Sequence, residues 1–518
     1  MKQFIIPFIL TCLIAGCAGT GNTSLCTGAA AETERLFLQQ VGDSRASIRW
    51  RGGSDTVCIG TDPQRLTTRI VAVEDTGHRM ATVTGLRPDT RYYYSVGGAA
   101  TAQPNHHFTT TPPRGELPAD GTIRLWLLGD SGSANEVERD GSLSYPGMAE
   151  AVRDSFLLYN ERESAGDDID AVVLLGDNAY PAGTDEEWQG AFFEIYPDIL
   201  SRVQTLPTIG NHEMGVAIFD ICLFAKLPNC ADGPVPMPLG GASNSSDPLS
   251  YDGDGDGPDA EGFPYFNIFA LPTQAEMGGA PSGTEQYYSV DIGTVHVIAL
   301  DSQLSNADAG QRAAMRDWLI DDLMTSNQPW NIVVFHHPAY SKGEHHDSDV
   351  EQREIDMRET FAPVFEEYGV DVIYNGHAHS YERSWYLRGH YGLSETFDAA
   401  RHAALDADGN PAFGHADAPY TQVSPGTGAD DRAVYTVAGN SGKYDKFNPC
   451  QGDQRYGCTL PDWLQHPAHR TFEKLAEDYE PNGIARLGSV VIDVNENSLT
   501  SRFVDVNGDV LDHFVITR

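Results

Sequence analysis

Apolar and polar positions follow two different rhythms along this chain. From Leu36 to about Thr110, short alternating runs such as Ala46-Ser47-Ile48-Arg49-Trp50 and Arg91-Tyr92-Tyr93-Tyr94-Ser95-Val96 are separated by turn residues. Such β-rich runs alternating with turn residues have the pattern of an all-β sandwich over 36–110. The paired prolines of Thr111-Pro112-Pro113-Arg114 then favour an extended backbone and predict a stiff linker over 111–120. Beyond it, apolar runs at Ile123–Leu128, Ala171–Leu175, Val295–Leu300, Asn331–Phe335 and Val370–Tyr374 alternate with helical stretches. That alternation predicts a layered α/β unit over 121–518.

Local signals sharpen this outline. Thr184 with Glu187, and Asp308 with Gln311, have capping-box spacing and mark two helix starts. Asn507-Gly508 between Phe503-Val504 and Val510-Leu511 reads as a hairpin turn closing a C-terminal sheet. Two stretches rich in Gly, Pro, Asp and Ser, roughly 214–284 and 388–431, read as insertions bordering a site mouth.

At the start of the chain, Met1-Lys2-Gln3, an apolar run and Ile14-Ala15-Gly16-Cys17 have the architecture of an export signal, too short for a permanent membrane span. Because a cysteine follows the small residues directly, residues 1–17 resemble a bacterial lipoprotein signal with Cys17 as the lipidated mature terminus; a plain cleaved signal of a soluble secreted protein is the alternative. Residues 18–35 are small and polar at first and read as a flexible tether. Membrane attachment is expected through that lipid only. Export favours disulfides over thiolate metal sites. Setting Cys12 and Cys17 aside, spacing suggests Cys222 with Cys230, Cys450 with Cys458, and Cys26 with Cys58 by remainder, among fifteen formal pairings.

A formal charge of -40 argues against nucleic acid or an anionic membrane surface as partners, since both are polyanions. The acidic run Asp252-Gly253-Asp254-Gly255-Asp256-Gly257-Pro258-Asp259 has some likeness to a calcium loop. It is weak, because the glutamate position falls on Phe263 and Pro258 breaks the register, so a solvated loop is favoured.

Five short motifs sit where predicted strands end: Gly129-Asp130, Gly176-Asp177-Asn178-Ala179-Tyr180, Gly210-Asn211-His212-Glu213, Val333-Val334-Phe335-His336, and Gly376-His377-Ala378-His379-Ser380-Tyr381-Glu382-Arg383. The carboxyl ends of strands are where α/β sheets bind ligands. Each motif alone is weak, since a Gly-Asp after a strand is usually a turn. Together they supply hard oxygen and imidazole donors without cysteine, which suits iron, zinc or manganese.

In this order the five blocks resemble the metallophosphoesterase pattern, and Tyr180 with the last block resembles its purple acid phosphatase branch. The phrase Val83-Thr84-Gly85-Leu86-Arg87-Pro88-Asp89-Thr90-Arg91-Tyr92 resembles fibronectin type III domains, which precede the catalytic domain in plant-type members. The resemblance implies an α/β fold of two mixed sheets flanked by helices, preceded by a fibronectin type III-like sandwich. It also implies that Asp130, Asp177, Tyr180 and His379 hold Fe(III), and that Asp177, Asn211, His336 and His377 hold a divalent zinc, iron or manganese ion. Asp177 would then bridge the two. His212 with the pair His345 and His346 would contact the phosphate and assist the leaving group, while His337 receives no role.

The activity implied is hydrolysis of small phosphate monoesters by metal-bound hydroxide attacking phosphorus. Phosphodiester or nucleotide hydrolysis is the alternative within the superfamily, and a non-catalytic surface binding lipoprotein is the alternative outside it.

Overall fold

The computed structural model describes residues 26–132, 147–164, 169–180, 183–214, 264–343, 346–422, 432–444, 463–474 and 480–518. Cys17, Cys222, Cys230, Cys450, Cys458, His345 and the acidic run 252–259 lie outside the described residues.

The alternating runs form strands β1 (Glu34–Gln39), β2 (Arg45–Arg51), β3 (Thr56–Gly60), β4 (Thr68–Val71), β5 (Val73–Asp75), β6 (His78–Thr84), β7 (Arg91–Val96) and β8 (His107–Thr109). One sheet, β4-β3-β7-β8, faces strands β1, β2, β6 and β5 across a core that includes Leu38, Ile48, Trp50, Val57, Tyr94 and Phe108. Two features depart from the expected boundaries. Order begins before residue 36: Cys26 is disulfide-bonded to Cys58, and Gly28 N–H donates to Gly98 O at 2.6 Å. Gly28 makes a close backbone approach, since a Cβ on it would stand 3.0 Å from Gly98 Cα, while the small polar stretch at 18–24 lies outside the described residues. The sandwich is also not a separate layer, because β1 pairs in parallel with a strand of the α/β unit, Leu38 opposite Gln204. Ion pairs reinforce that seam, with Arg35 2.8 Å and Arg51 2.6 Å from Asp185.

The continuous apolar runs form β9 (Ile123–Leu128), β10 (Ala171–Leu174), β13 (Val295–Ala299), β14 (Trp330–Val334) and β15 (Val372–Asn375), with β11 (Gln204–Pro207) and β12 (Tyr288–Ile292) between β10 and β13 in the chain. They are joined by β16 (Tyr381–Arg383), β17 (Tyr420–Thr421), β18 (Val434–Ala438), β19 (Gly488–Val494), β20 (Ser498–Asp505) and β21 (Val510–Thr517). Among the described residues the first sheet runs β17-β21-β20-β19-β9-β10-β11-β1-β2-β6-β5, and the second runs β12-β13-β14-β15-β18-β16. Strands β9, β10 and β11 are parallel, as are β13, β14, β15 and β18. Strands buried on both faces read as unbroken apolar runs rather than alternating ones, which explains their sequence.

The two sheets pack face to face over a shared core in which Leu125, Leu127, Val172 and Leu174 lie with Val297, Ile332, Val334 and Val372. The outer face of the second sheet packs Val333, Phe335 and Ile373 against helices α2 (Ala309–Thr325) and α3 (Gln352–Glu367) through Leu319, Phe361 and Phe365. Helix α1 (Met148–Ser164) covers the first sheet, where Phe156 stacks on Trp126 at 4.1 Å. Thr184 and Glu187 form the reciprocal capping box; Asp308 caps α2 through the N–H groups of Gly310 and Gln311. The Asn507-Gly508 turn joins β20 to β21, with Asp505 accepting from Asn507 N–H. The described part of the first insertion, 264–284, packs on the N-terminal strands: Arg49 and Thr76 both donate to Asn267 O. Among the described residues no helix is long and apolar enough to cross a membrane.

Candidate metal centre

Asp130, Asp177, Asn211, His336 and His377 follow β9, β10, β11, β14 and β15, so face-to-face packing of the sheets brings five loops to one place. Asp130, Asp177 and His377 adopt the left-handed backbone, with φ of 53°, 55° and 72°. That conformation costs a non-glycine residue on the order of 1 kcal/mol and is held where the surroundings over-determine it. Close contact between the loops requires glycine: a Cβ on Gly210 would lie 2.2 Å from Asp177 Oδ1, and one on Gly176 2.6 Å from His336 Nδ1.

Two groups of donors result. Around Tyr180, the hydroxyl lies 2.9 Å from Asp130 Oδ1, 3.2 Å from Asp177 Oδ2 and 3.5 Å from His379 Nε2. Around His336, Nε2 lies 3.0 Å from Asn211 Oδ1, 3.2 Å from Asp177 Oδ2 and 3.2 Å from His377 Nδ1. Asp177 belongs to both groups through the same carboxylate oxygen. His336 Nδ1 is engaged by the Leu175 carbonyl at 2.8 Å, which fixes its proton there and turns the Nε2 lone pair inward. The His212 ring lies 4.2 Å from the Tyr180 ring, and its backbone N–H donates to Asp177 Oδ1 at 2.8 Å. His346 packs its ring 3.6 Å from that of His377. All of the sequence-nominated site residues that are described therefore meet in one cluster.

Electrostatics couple its members. Burial alone would raise the Asp177 carboxyl, yet His336 and His212 hold it well below the usual carboxylate range. Burial opposes charge on His336, but Asp177 pushes it up to about 9. Burial, and then neighbouring His346, push His377 down to about 3.

Sequence reasoning missed several supporting residues. Glu213 ends the Asn-His block, and its buried carboxylate accepts from the backbone N–H groups of Asp177, Asn178 and Gly210 at 2.8, 2.7 and 2.6 Å. It thereby locks the β10 and β11 loops together. Burial and then Asp177 push its carboxyl up to about 8. Glu382 accepts from Ser341 Oγ at 2.9 Å, Ser380 Oγ at 3.0 Å and Lys342 N–H at 3.1 Å, tying the histidine-pair loop to the block containing His377 and His379. Buried His337 pairs Nδ1 with Ser302 Oγ at 2.9 Å and packs its ring 4.3 Å from His377, so it supports the site from beneath. Both glutamates stood inside quoted motifs, and their position there was the available signal.

The donor set passes a chemical test for cations. Asp130, Asp177 and His336 present ligand atoms within 4.8 Å of one another, as do His336, His337 and His377, all buried. The buried carboxylates Asp130 and Asp177 converge on imidazoles, a donor set of oxygen and nitrogen atoms that suits a cation, while Lys443 Nζ lies 3.4 Å from the centre of the Tyr180 ring. Two packed mixed sheets carrying hard donors at the meeting ends of their parallel strands define a candidate metal centre.

The calcineurin-like phosphoesterase model matches residues 123–381, half of the 518-residue chain, and the chain belongs to that family. Within it, the chain is similar to purple acid phosphatases. It is 25% identical over 333 residues to purple acid phosphatase 15 of Arabidopsis thaliana, covering 58% of this chain and 48% of the relative. It is 26% identical over 309 residues to purple acid phosphatase 1 of Ipomoea batatas, covering 58% and 51%. The chain thus spans about half the length of these curated relatives. In fold it resembles the purple acid phosphatase PPD1 of yellow lupin, with a TM-score of 0.58 at 18% identity, covering 94% of this chain and 75% of that one.

Proposed function

We propose that the chain hydrolyses small phosphate monoesters at a dinuclear centre of Fe(III) and a divalent ion. The observation that carries this reading is the Tyr180 hydroxyl set between Asp130 and Asp177, with His379 beside it. A phenol among two carboxylates and an imidazole is a hard donor set suited to Fe(III). Asp130, Asp177, Tyr180 and His379 would hold that ion, and Asp177, Asn211, His336 and His377 the divalent zinc, iron or manganese. When bound, the pair would supply Lewis acidity towards phosphate and a water acidified enough to react near neutrality.

The chain's own residues do the rest. Asp177 fixes the spacing of the two halves, and Glu213 holds its loop. His212, beside Tyr180 and Asp177, and His346, beside His377, flank the cluster where a phosphoryl group would sit. There they donate to its oxygens and, with His345, deliver a proton to the departing alkoxide. The Cys26–Cys58 disulfide supports an exported location, and Cys17 would anchor the chain by lipid.

The test is elemental analysis and a visible spectrum of the purified protein, with phosphate release from a chromogenic monoester set against a bis-ester. Two metals, a visible band abolished by Tyr180→Phe, and monoester preference are expected. A bis-ester preference would move the reading to diester hydrolysis, and absence of turnover in metal-loaded protein would leave a binding protein. Transfer of Cys17→Ser protein from the membrane to the soluble fraction checks the anchor.

A further inference from the structure

Helix α3 begins after Glu351, which occupies the N-cap position with φ -74° and ψ 118° and makes no side-chain capping bond. Ser, Thr, Asp or Asn normally stand there, because their short side chains reach back to the first-turn N–H groups. The Glu351 carboxylate instead points into the cluster and meets two histidines. Its Oε2 lies 3.0 Å from His377 Nε2, and its Oε1 lies 2.8 Å from His346 Nδ1. Those two ring centres lie 3.6 Å apart, with the planes tilted by 40°.

An ionised carboxylate only accepts hydrogen bonds, so the nitrogens facing it carry the protons. For His377 this leaves Nδ1, the atom that faces His336 Nε2 at 3.2 Å, as the lone-pair donor into the cluster. For His346 the same carboxylate sets ring orientation from the loop side. The segment is braced in turn: Asp349 accepts from Ser394 N–H at 2.8 Å, and Lys342 Nζ lies 3.0 Å from Asp349.

We propose that Glu351 is the positioning residue of this site: one carboxylate that orients His377 for the divalent ion and His346 for the phosphate, joining metal affinity to substrate binding. This rests on the reading that His377 is a metal ligand. Groups of this kind set tautomer and orientation behind a metal-binding histidine, and losing one typically lowers metal affinity about tenfold to a hundredfold.

The test uses the full chain loaded with both metals, wild type against Glu351→Gln and Glu351→Ala, titrated with a chelator while metal content and visible absorption are followed. Glutamine keeps the size but presents one acceptor and one donor, so it cannot accept from both rings. The variants should release the divalent ion at about tenfold to a hundredfold lower chelator concentration, keep the tyrosine-dependent visible band, and show a raised KM. If glutamine and wild type release the divalent ion alike, the inference fails while the dinuclear reading stands. If wild type takes up no metal at all, both fall together. Thermal melting identifies an alanine variant that has simply misfolded, in which case the glutamine variant decides.

Discussion

At His296 each ring nitrogen meets its own carboxylate: Nδ1 lies 2.7 Å from Asp291 and Nε2 2.8 Å from Asp322, with all three side chains buried. At His336 one nitrogen meets a backbone carbonyl, while the other faces Asn211, Asp177 and His377 together. Both clusters combine buried acids with imidazole in the same two-sheet framework. The first closes on itself. Asp322 Oδ1 also accepts from Ser289 Oγ at 2.8 Å and Ala280 N–H at 2.6 Å, and a Cβ on Gly279 would stand 1.9 Å from that oxygen. Nothing there is left to bind. In the second cluster one Asp177 oxygen faces both the Tyr180 hydroxyl and His336 Nε2, and Asn211 and His377 turn further donor atoms to the same place. Residue type therefore does not distinguish a structural acid–histidine cluster from a functional one; the balance of donors against acceptors does.

The largest expected difference lies in the open cluster. Asp177→Ala removes the only carboxylate common to both donor groups, so phosphate release should fall about a thousandfold or more, roughly 4 kcal/mol in the barrier, and metal content should fall with it. Elemental analysis together with monoester turnover measures both. Retained metal and turnover would erase the distinction drawn here.

In the closed cluster, Asp322→Ala should act on stability instead. Removing one partner of a buried charge pair costs about 3 kcal/mol. Chemical denaturation should show that loss, while turnover per folded molecule stays close to wild type. A specific loss of turnover would mean that the triad serves the site after all.

How much of this was legible beforehand follows from the range over which each signal acts. The unbroken apolar runs marked β9, β10, β13, β14 and β15, and strand-end glycines marked the loops carrying Asp130, Asp177, Asn211 and His377, because backbone geometry writes itself into neighbouring residues. Parallel pairing of β1 with β11 left no such mark, since Leu38 and Gln204 meet only through tertiary packing. Glu351 lay outside every motif; its one local trace is a glutamate where a capping residue belongs. The triad was partly readable, because Asp291 and His296 flank a tight turn and are cross-strand partners, but Asp322 arrives from α2.

The smallest expected effect comes from the pH dependence of the closed cluster. Burial alone would lower His296, yet Asp291 and Asp322 push it up to about 9, against 6.5 for a free histidine. A base whose folded value is raised contributes its full stabilisation below the unfolded value and loses it as pH climbs through the folded one. The window is therefore pH 6.5 to 9. The groups facing the ring are Asp291, Asp322 and, 3.4 Å from Asp291, Arg114. Buried Glu285 and Glu366, each pushed up to about 7 chiefly by burial, also lower stability as pH rises, but between about 4.5 and 7. Subtracting the profile of His296→Gln isolates the histidine, because both glutamates remain in that variant. Wild type should lose stability relative to His296→Gln between pH 6.5 and 9. Parallel profiles across that interval would show that the triad does not hold an imidazolium, and the contrast with His336 would then have to rest on geometry alone.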